Sequence, residues 1–125
     1  MRVVVYGGRD FYDESWLKQE LCDLVWQRGN FASVPKQISV LIHGGARGVD
    51  QMAGWFGIGC GLEVIEFKAQ WDKHGKAAGP IRNQQMIDEG KPELGVAFPG
   101  GKGTADMTRR LKAAGIRVIQ LEKPL

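Results

Sequence analysis

Short apolar runs alternate with amphipathic segments along the whole chain. The runs are rich in valine, isoleucine and leucine, and each is only five or six residues long. Runs of this length and composition are typical of strands buried in a parallel sheet. We therefore predict five strands, over residues 2–6, 38–43, 62–67, 94–98 and 116–121.

The segments between the strands carry helical signals. In the first of them Leu17, Leu21 and Leu24 recur at the spacing of one helix face, and Asp13 or Ser15 precedes them as a cap. In the remaining segments, proline and glycine mark the helix ends: Pro80 starts one helix, which stops near Gly90. The pattern predicts helices over residues 13–29, 49–57, 80–90 and 104–114.

Alternation of strands and helices predicts the architecture. Crossover connections of this kind give a parallel sheet with helices on both faces. The expected fold class is α/β, a Rossmann-like three-layer sandwich with a mainly parallel five-stranded sheet, formed by residues 1–125 as a single domain. Residues 122–125 are predicted to be a short tail.

Residues 69–80 fit neither pattern. This connection is polar, contains Gly75 and Gly79, and shows no convincing helix or strand. Connections of this kind are often functional. Trp71 is costly to leave in water, so it either plugs the core or offers a ring face on which a nucleobase stacks. Both interpretations stay open.

The other tryptophans and the two cysteines have simpler interpretations. Trp16, Trp26 and Trp55 lie on helical stripes and are predicted to belong to the core. Cys22 and Cys60 do not form a disulfide framework or a CxxC motif, and we expect two reduced, buried thiols. We also expect a homo-oligomer, because apolar helical residues left exposed would suit packing between subunits.

Composition and charge exclude some classes of protein. Apolar residues make up 43% of the chain and charged residues 25%, which is ordinary for a soluble globular protein. No apolar run suits a membrane span or a signal peptide, so we expect a cytoplasmic protein without a membrane partner. The net charge of +3 favours anionic ligands, but no run of basic residues is typical of a nucleic-acid tail. No spacing of ligand residues indicates a metal site.

Three glycine-rich turns follow predicted strands. They are Gly7–Arg9, Gly44–Gly48 and Pro99–Thr104. Because the carboxyl ends of parallel strands meet at one edge of a sheet, we expect these turns to lie close together. The third turn opens a helix, whose free N–H groups and dipole suit an anion, and its glycines let a phosphate approach the backbone.

Four motifs together resemble one superfamily. They are Gly7–Phe11, His43–Asp50, Ala78–Met86 and Pro99–Met107, in this order over nearly the whole chain. The chain is similar to the SLOG superfamily, especially to its small YspA/YpsA-related branch. This resemblance implies a Rossmann-like fold that binds a nucleotide or a nucleotide-derived ligand. Other branches include the LONELY GUY phosphoribohydrolases, molybdenum-cofactor carriers, and DNA-processing protein A, which binds single-stranded DNA.

The resemblance also implies roles for single residues. The Pro99–Thr104 turn resembles the superfamily's phosphate-binding PGGxGT motif. In the phosphoribohydrolases a glutamate follows that takes part in bond cleavage, but here its position holds Met107. Asp106 precedes it and projects about 100° away around the helix. Catalysis of this type would use Asp106 or Asp50 in place of the glutamate, together with Arg82.

The candidate ligand-binding residues come from all these segments. Arg47 is suited to a phosphate, and Arg82 to a phosphate or a developing negative charge. Asp50 either accepts a hydrogen bond from a ribose hydroxyl or locks its own turn. The full set is Gly8, Arg9, Gly44, Gly45, Arg47, Gly48, Asp50, Trp71, Arg82, Asn83, Gly100, Gly101, Gly103 and Thr104.

Three functions follow as hypotheses. The first is a sensor, carrier or effector domain that binds a nucleotide or a nucleotide-derived phosphorylated ligand. The second is a nucleoside-5′-monophosphate phosphoribohydrolase of the LONELY GUY type, against which Met107 argues. The third is single-stranded nucleic-acid binding, against which the dispersed basic residues argue. No cofactor other than the nucleotide-like ligand is expected.

Overall fold

The protein folds into a parallel sheet with helices on both faces. The computed structural model describes residues 1–123, so the end of the predicted tail lies outside the described residues. The strands are β1 Arg2–Tyr6, β2 Val40–His43, β3 Glu63–Glu66, β4 Leu94–Ala97 and β5 Arg117–Gln120. The helices are α1 Glu14–Trp26, α2 Val49–Gly59, α3 Trp71–His74, α4 Ala78–Asp88 and α5 Lys102–Ala113. The strand order is β3-β2-β1-β4-β5 and every neighbouring pair is parallel.

Side chains of the central strand β1 alternate between two cores. Val3 and Val5 belong to the core that contains the buried residues of α1 and α2. Val4 and Tyr6 belong to the core that contains the buried residues of α4 and α5. A strand covered on both faces needs apolar residues at nearly every position, which explains the continuous run. The predicted α/β, Rossmann-like architecture is confirmed.

The first helix begins at a predicted cap. The Asp13 side chain accepts a hydrogen bond from the N–H of Trp16 at 3.1 Å. The helix ends at Trp26 rather than at Gly29, because Gln27 adopts a left-handed conformation with φ of 53°. None of the helices within residues 1–123 is long and apolar enough to cross a membrane.

The prediction for residues 69–80 is wrong. This connection contains α3, a 3₁₀ turn over Gly75–Ala77, and the first residues of α4. The helix α4 begins at Ala78, before Pro80 rather than at it. Proline is tolerated there because the first N–H groups of a helix have no intrahelical acceptor.

The prediction that Trp26 and Trp55 belong to the core is also wrong. Trp26 is 68% exposed and Trp55 is 66% exposed, whereas Trp16 packs against the core. Helix α2 instead buries small residues such as Gly54 and Gly57 against the sheet, which turns Trp55 outward. The two thiols are not buried either, since Cys22 is half-buried and Cys60 is exposed.

Candidate functional site

The carboxyl ends of β1 and β4 border an open cleft. These strands are neighbours, but their connections lead to opposite sides of the sheet. The N–H of Gly8 after β1 donates to the carbonyl of Pro99 after β4 at 2.9 Å, which joins the two turns. Open α/β sheets bind ligands at such a switch point. The cleft has a volume of about 620 Å³, within the range of ligand pockets.

The first turn of α5 forms one wall of the cleft. Gly101 is the N-cap and no side chain caps the helix, so its first N–H groups lack partners within it. Gly101 and Gly103 both line the cleft, and a Cβ on either residue would meet no atom within 4 Å. A small anion therefore has room beside bare amides at the positive end of the helix dipole.

Two of the predicted glycines lie between the turns and not in the cleft. A Cβ on Gly100 would collide with the Thr104 side chain and the backbone nitrogen of Gly8. A Cβ on Gly48 would collide with the carbonyls of Gly8 and Arg9. The absence of a side chain at both positions lets the three turns approach one another.

Arg82 extends from α4 towards the turn after β2. Its Nη1 donates to the carbonyl of Gly44, and its Nε donates to Oδ1 of Asn83 at 3.1 Å. The guanidinium occupies the space that a Cβ on Gly44 would need. Burial lowers the pKa of Arg82, although nearby Asp50 raises it in part. Within residues 1–123 its Nη2 has no hydrogen-bond partner, so a charged donor remains free in the cleft.

Asp50 is a buried carboxyl group in the same cleft. It lies in the first turn of α2 and is only 4% exposed. Burial raises the pKa of Asp50 to about 6, although Arg82 and nearby backbone amides lower it in part. Its Oδ1 has no hydrogen-bond partner within the described part of the chain. A buried acceptor without a partner is costly, and a ligand that donates a hydrogen bond would remove that cost.

Asp106 also lines the cleft, but its carboxylate is already engaged. Arg110 Nε donates to it at 2.9 Å and Asn83 Nδ2 at 3.0 Å, and Arg109 forms a further ion pair. Partial burial raises the pKa of Asp106, but the hydrogen bonds from Arg110 and Asn83 outweigh this and the pKa lies below its usual value. Asn83 also donates to the carbonyl of Gly103 at 3.3 Å. These contacts join α4 to the first turn of α5.

Arg9 and Trp71 form a contact that we call the Arg9–Trp71 bridge. The Cζ of Arg9 lies 5.1 Å from the centroid of the indole ring. Trp71 is 47% exposed, so it does not plug the core, and its ring packs over Gly79 of α4. Arg9 forms no ion pair with any carboxylate in residues 1–123. Both side chains are accessible to a ligand.

A smaller groove adjoins the cleft and contains six of the predicted residues, three of which do not line the cleft. It has a volume of about 340 Å³ and shares the Arg9–Trp71 bridge, Ala46 and Arg82 with the cleft. Arg47 lines this groove and forms an exposed ion pair with Asp10 at 3.0 Å. We call it the basic groove, and its remaining lining residues are Gly44, Gly45, Lys68 and Ala69.

The cleft brings together ten predicted residues from five segments of the chain. They are Gly8, Arg9, Asp50, Trp71, Arg82, Asn83, Gly101, Gly103, Thr104 and Asp106. Within residues 1–123 no cluster of three or more histidine, cysteine or acidic side chains could hold a metal ion. The arginines, the free amides of α5 and the indole ring of Trp71 in the cleft suit an anionic organic ligand.

Sequence analysis missed other lining residues. Tyr6 donates to or accepts from Thr108 at 2.7 Å, and burial raises the pKa of Tyr6 to about 12, so it stays protonated. Lys102 and Arg109 also line the cleft and add positive charge. A tyrosine that ends a buried strand cannot be distinguished from a core residue by pattern alone. The basic pair could have been inferred from its position in the first turns of α5.

Known proteins provide an independent comparison with this chain. In fold it is similar to DNA processing protein A (DprA) from Streptococcus pneumoniae, with a TM-score of 0.73 and 16% identity. The match covers 99% of this chain but 51% of that protein, so the chain spans about half its length. At this identity the likeness shows the fold alone.

Sequence comparison gives closer matches. The Gene 61 protein of Mycobacterium phage D29 is 34% identical over 131 aligned positions, which cover 98% of each chain. The family model described as YspA, cpYpsA-related SLOG family matches residues 1–74. That match spans more than half of the chain and includes the first two glycine turns. The chain belongs to the YspA, cpYpsA-related SLOG family.

Proposed function

We propose that the protein binds a nucleotide or a nucleotide-derived phosphorylated ligand in the cleft, as a sensor, carrier or effector domain. Family membership supports a role related to nucleotides or nucleic acids and specifies no ligand. One observation carries the proposal. The uncapped N-terminus of α5 faces a cleft that also contains a free guanidinium N–H and a buried, unpartnered carboxyl oxygen.

Each of these groups has a distinct role in the proposed complex. The phosphate accepts hydrogen bonds from the first N–H groups of α5, where Gly101 and Gly103 leave space. Arg82 adds a charged donor to the same ligand. Asp50 accepts a hydrogen bond from a hydroxyl or amino group, and Trp71 offers a ring on which a base stacks.

Binding without bond cleavage is the better supported form of this function. Met107, at the position of the phosphoribohydrolase glutamate, is 1% exposed and lines the cleft as a thioether. Asp106 is held in hydrogen bonds and ion pairs, and its lowered pKa leaves it without a proton to donate near neutral pH. Incubation with nucleoside 5′-monophosphates should release no free base, and release at enzymatic rates would restore the hydrolase hypothesis.

Gly101→Val tests the phosphate site directly. The new side chain would extend into the space proposed for the phosphate while meeting no protein atom at its Cβ, so the fold should be retained. We expect the affinity for the best-bound nucleoside 5′-monophosphate, measured by calorimetry, to fall at least tenfold, or by about 1.4 kcal/mol. Gly59→Val, at an open position of α2, is the control. Equal affinities for wild type and Gly101→Val would refute the proposal.

Single-stranded nucleic acid is a second candidate ligand, favoured by one observation. Basic residues that are dispersed in the sequence converge in the fold, since Arg9, Arg47, Lys68, Arg82, Lys102 and Arg109 line the cleft or the basic groove. A strand that contacts several of them would lose affinity steeply as salt increases. An oligonucleotide affinity that is weak and nearly independent of salt would exclude this candidate.

We also propose that the protein self-associates through the outer surface of α1 and α2. Trp26, Trp55 and Ile58 are each about two-thirds exposed on these adjacent helices. The indole rings of Trp26 and Trp55 together expose roughly 300 Å² of surface per subunit. A stable interface buries about 800 Å² per partner, so these two rings would supply a large part of one. Analytical ultracentrifugation should detect a dimer that Trp55→Lys dissociates. A monomer at high protein concentration would contradict this proposal.

A further inference from the structure

The basic groove has the chemistry of a second anion site. Apart from Trp71, its lining consists of four cationic side chains and of glycine or alanine residues. It offers positive charge from these four side chains and one aromatic ring, that of Trp71. An anionic group suits such a surface better than an apolar one.

The cations of the groove are only weakly neutralised by the protein. Arg47 and Asp10 form their ion pair with both side chains more than two-thirds exposed. The Lys68 Nζ lies 3.8 Å from Glu66, and Lys68 is 78% exposed. Exposed pairs of this kind contribute little, so a phosphate can replace the carboxylates at small cost. Among the described residues 1–123, the indole ring of Trp71 is the only partner of the Arg9 guanidinium.

The Arg9–Trp71 bridge stands between the two anion sites and lines both. The phosphates of a nucleoside diphosphate share an oxygen, so both would remain at the N-terminus of α5. Two phosphates on different carbons of one ribose are held apart from each other, so one can bind in each of these adjoining sites. Resting on the proposed function, we infer that the ligand carries two separate phosphates on one nucleoside, as nucleoside 3′,5′-bisphosphates do, with the second phosphate in the basic groove.

Calorimetry with three sets of probes tests this inference. Nucleoside 5′-monophosphates, 5′-diphosphates and 3′,5′-bisphosphates of the four common bases are titrated at one fixed salt concentration, because exposed charges are screened. We expect one bisphosphate to bind about tenfold more tightly than its monophosphate. The diphosphate should lack most of this gain, and a diphosphate that binds as tightly as the bisphosphate would contradict a separate second site.

Removal of two groove cations provides the second arm. Arg47→Ala with Lys68→Ala should remove the bisphosphate's tenfold advantage over the monophosphate. The matched control, Arg117→Ala with Lys36→Ala, removes the same charges at exposed positions outside the cleft and groove. If monophosphates bind but bisphosphates gain nothing, or keep their gain in the double variant, this inference is wrong and the proposed function stands. If no nucleotide binds, both are wrong.

Discussion

Asp50→Asn is predicted to stabilise the unliganded protein near neutral pH. The pKa of Asp50 rises from 3.8 to about 6 on folding, mainly because of burial. The folded state therefore holds this proton more tightly than the unfolded state does. Its contribution to stability is fully present below pH 4 and is lost as the pH rises through 6. Above that range the charged, buried carboxylate destabilises the fold by about 3 kcal/mol relative to its protonated form.

Asparagine keeps the shape of the side chain and removes the charge. At pH 7.5 we expect the variant's free energy of unfolding to exceed that of the wild type by about 2–3 kcal/mol, or on the order of 10 °C in Tm. At pH 4 the difference should nearly vanish. Urea unfolding followed by tryptophan fluorescence measures both values, with Asp72→Asn as a control for loss of an exposed carboxylate. A variant less stable than wild type at pH 7.5, or a difference independent of pH, would refute the reasoning.

The same substitution connects stability with function. A buried group that destabilises the empty protein is expected where a ligand uses it. Asp50→Asn should therefore weaken nucleotide binding while it stabilises the fold. A variant that gains stability and keeps full affinity would remove Asp50 from the binding site.

Two further predictions concern the scaffold of the site. Gly54→Ala should destabilise the protein by about 1–3 kcal/mol, because the new Cβ would lie 2.6 Å from Nε2 of His43. Gly59→Ala in the same helix should instead stabilise it by about 0.5–1 kcal/mol. Equal effects of the two substitutions in thermal unfolding would contradict the described packing. Asp106→Asn should destabilise by about 1 kcal/mol at pH 7, because it loses two arginine partners. Since the pKa of Asp106 is lowered, this loss should begin to shrink as the pH falls below 4 and should vanish below the folded-state pKa. A loss of stability that does not change on acidification would contradict the described contacts.

Much of the fold could be predicted because its signals are local. Strands buried on both faces give continuous apolar runs, and the run Val3–Val5 shows this for β1. Because the strands are parallel, the glycine turns must lie at the same edge of the sheet. The hydrogen bond between the N–H of Gly8 and the carbonyl of Pro99 shows that two of them are in contact. The sequence predicts that α4 begins at Pro80, whereas it begins at Ala78. Proline suits any position in the first turn of a helix, so its presence does not fix the first residue.

What could not be predicted depends on tertiary contacts. The apolar stripe that contains Trp55 predicts that this side of α2 packs against the core. Helix α2 instead packs through Gly54 and Gly57, which a hydrophobic pattern does not reveal. The buried state of Asp50 and the engagement of Asp106 likewise depend on residues distant in sequence. The sequence leaves Asp50 open between a ligand contact and a lock on its own turn, and it gives Asp106 only as a catalytic candidate. Only the packing distinguishes Asp50, whose Oδ1 has no partner within residues 1–123, from Asp106, whose carboxylate is engaged.

Amide chemical shifts test most directly whether the first turn of α5 binds phosphate. Titration of ¹⁵N-labelled protein with the best-bound nucleoside 5′-monophosphate should move the amide signals of Gly101, Lys102, Gly103 and Thr104 most, in the direction of stronger hydrogen bonding. The amides at the open position Gly115 should not move. If the ligand binds while these four signals stay in place, the phosphate lies elsewhere and the account of the site is wrong.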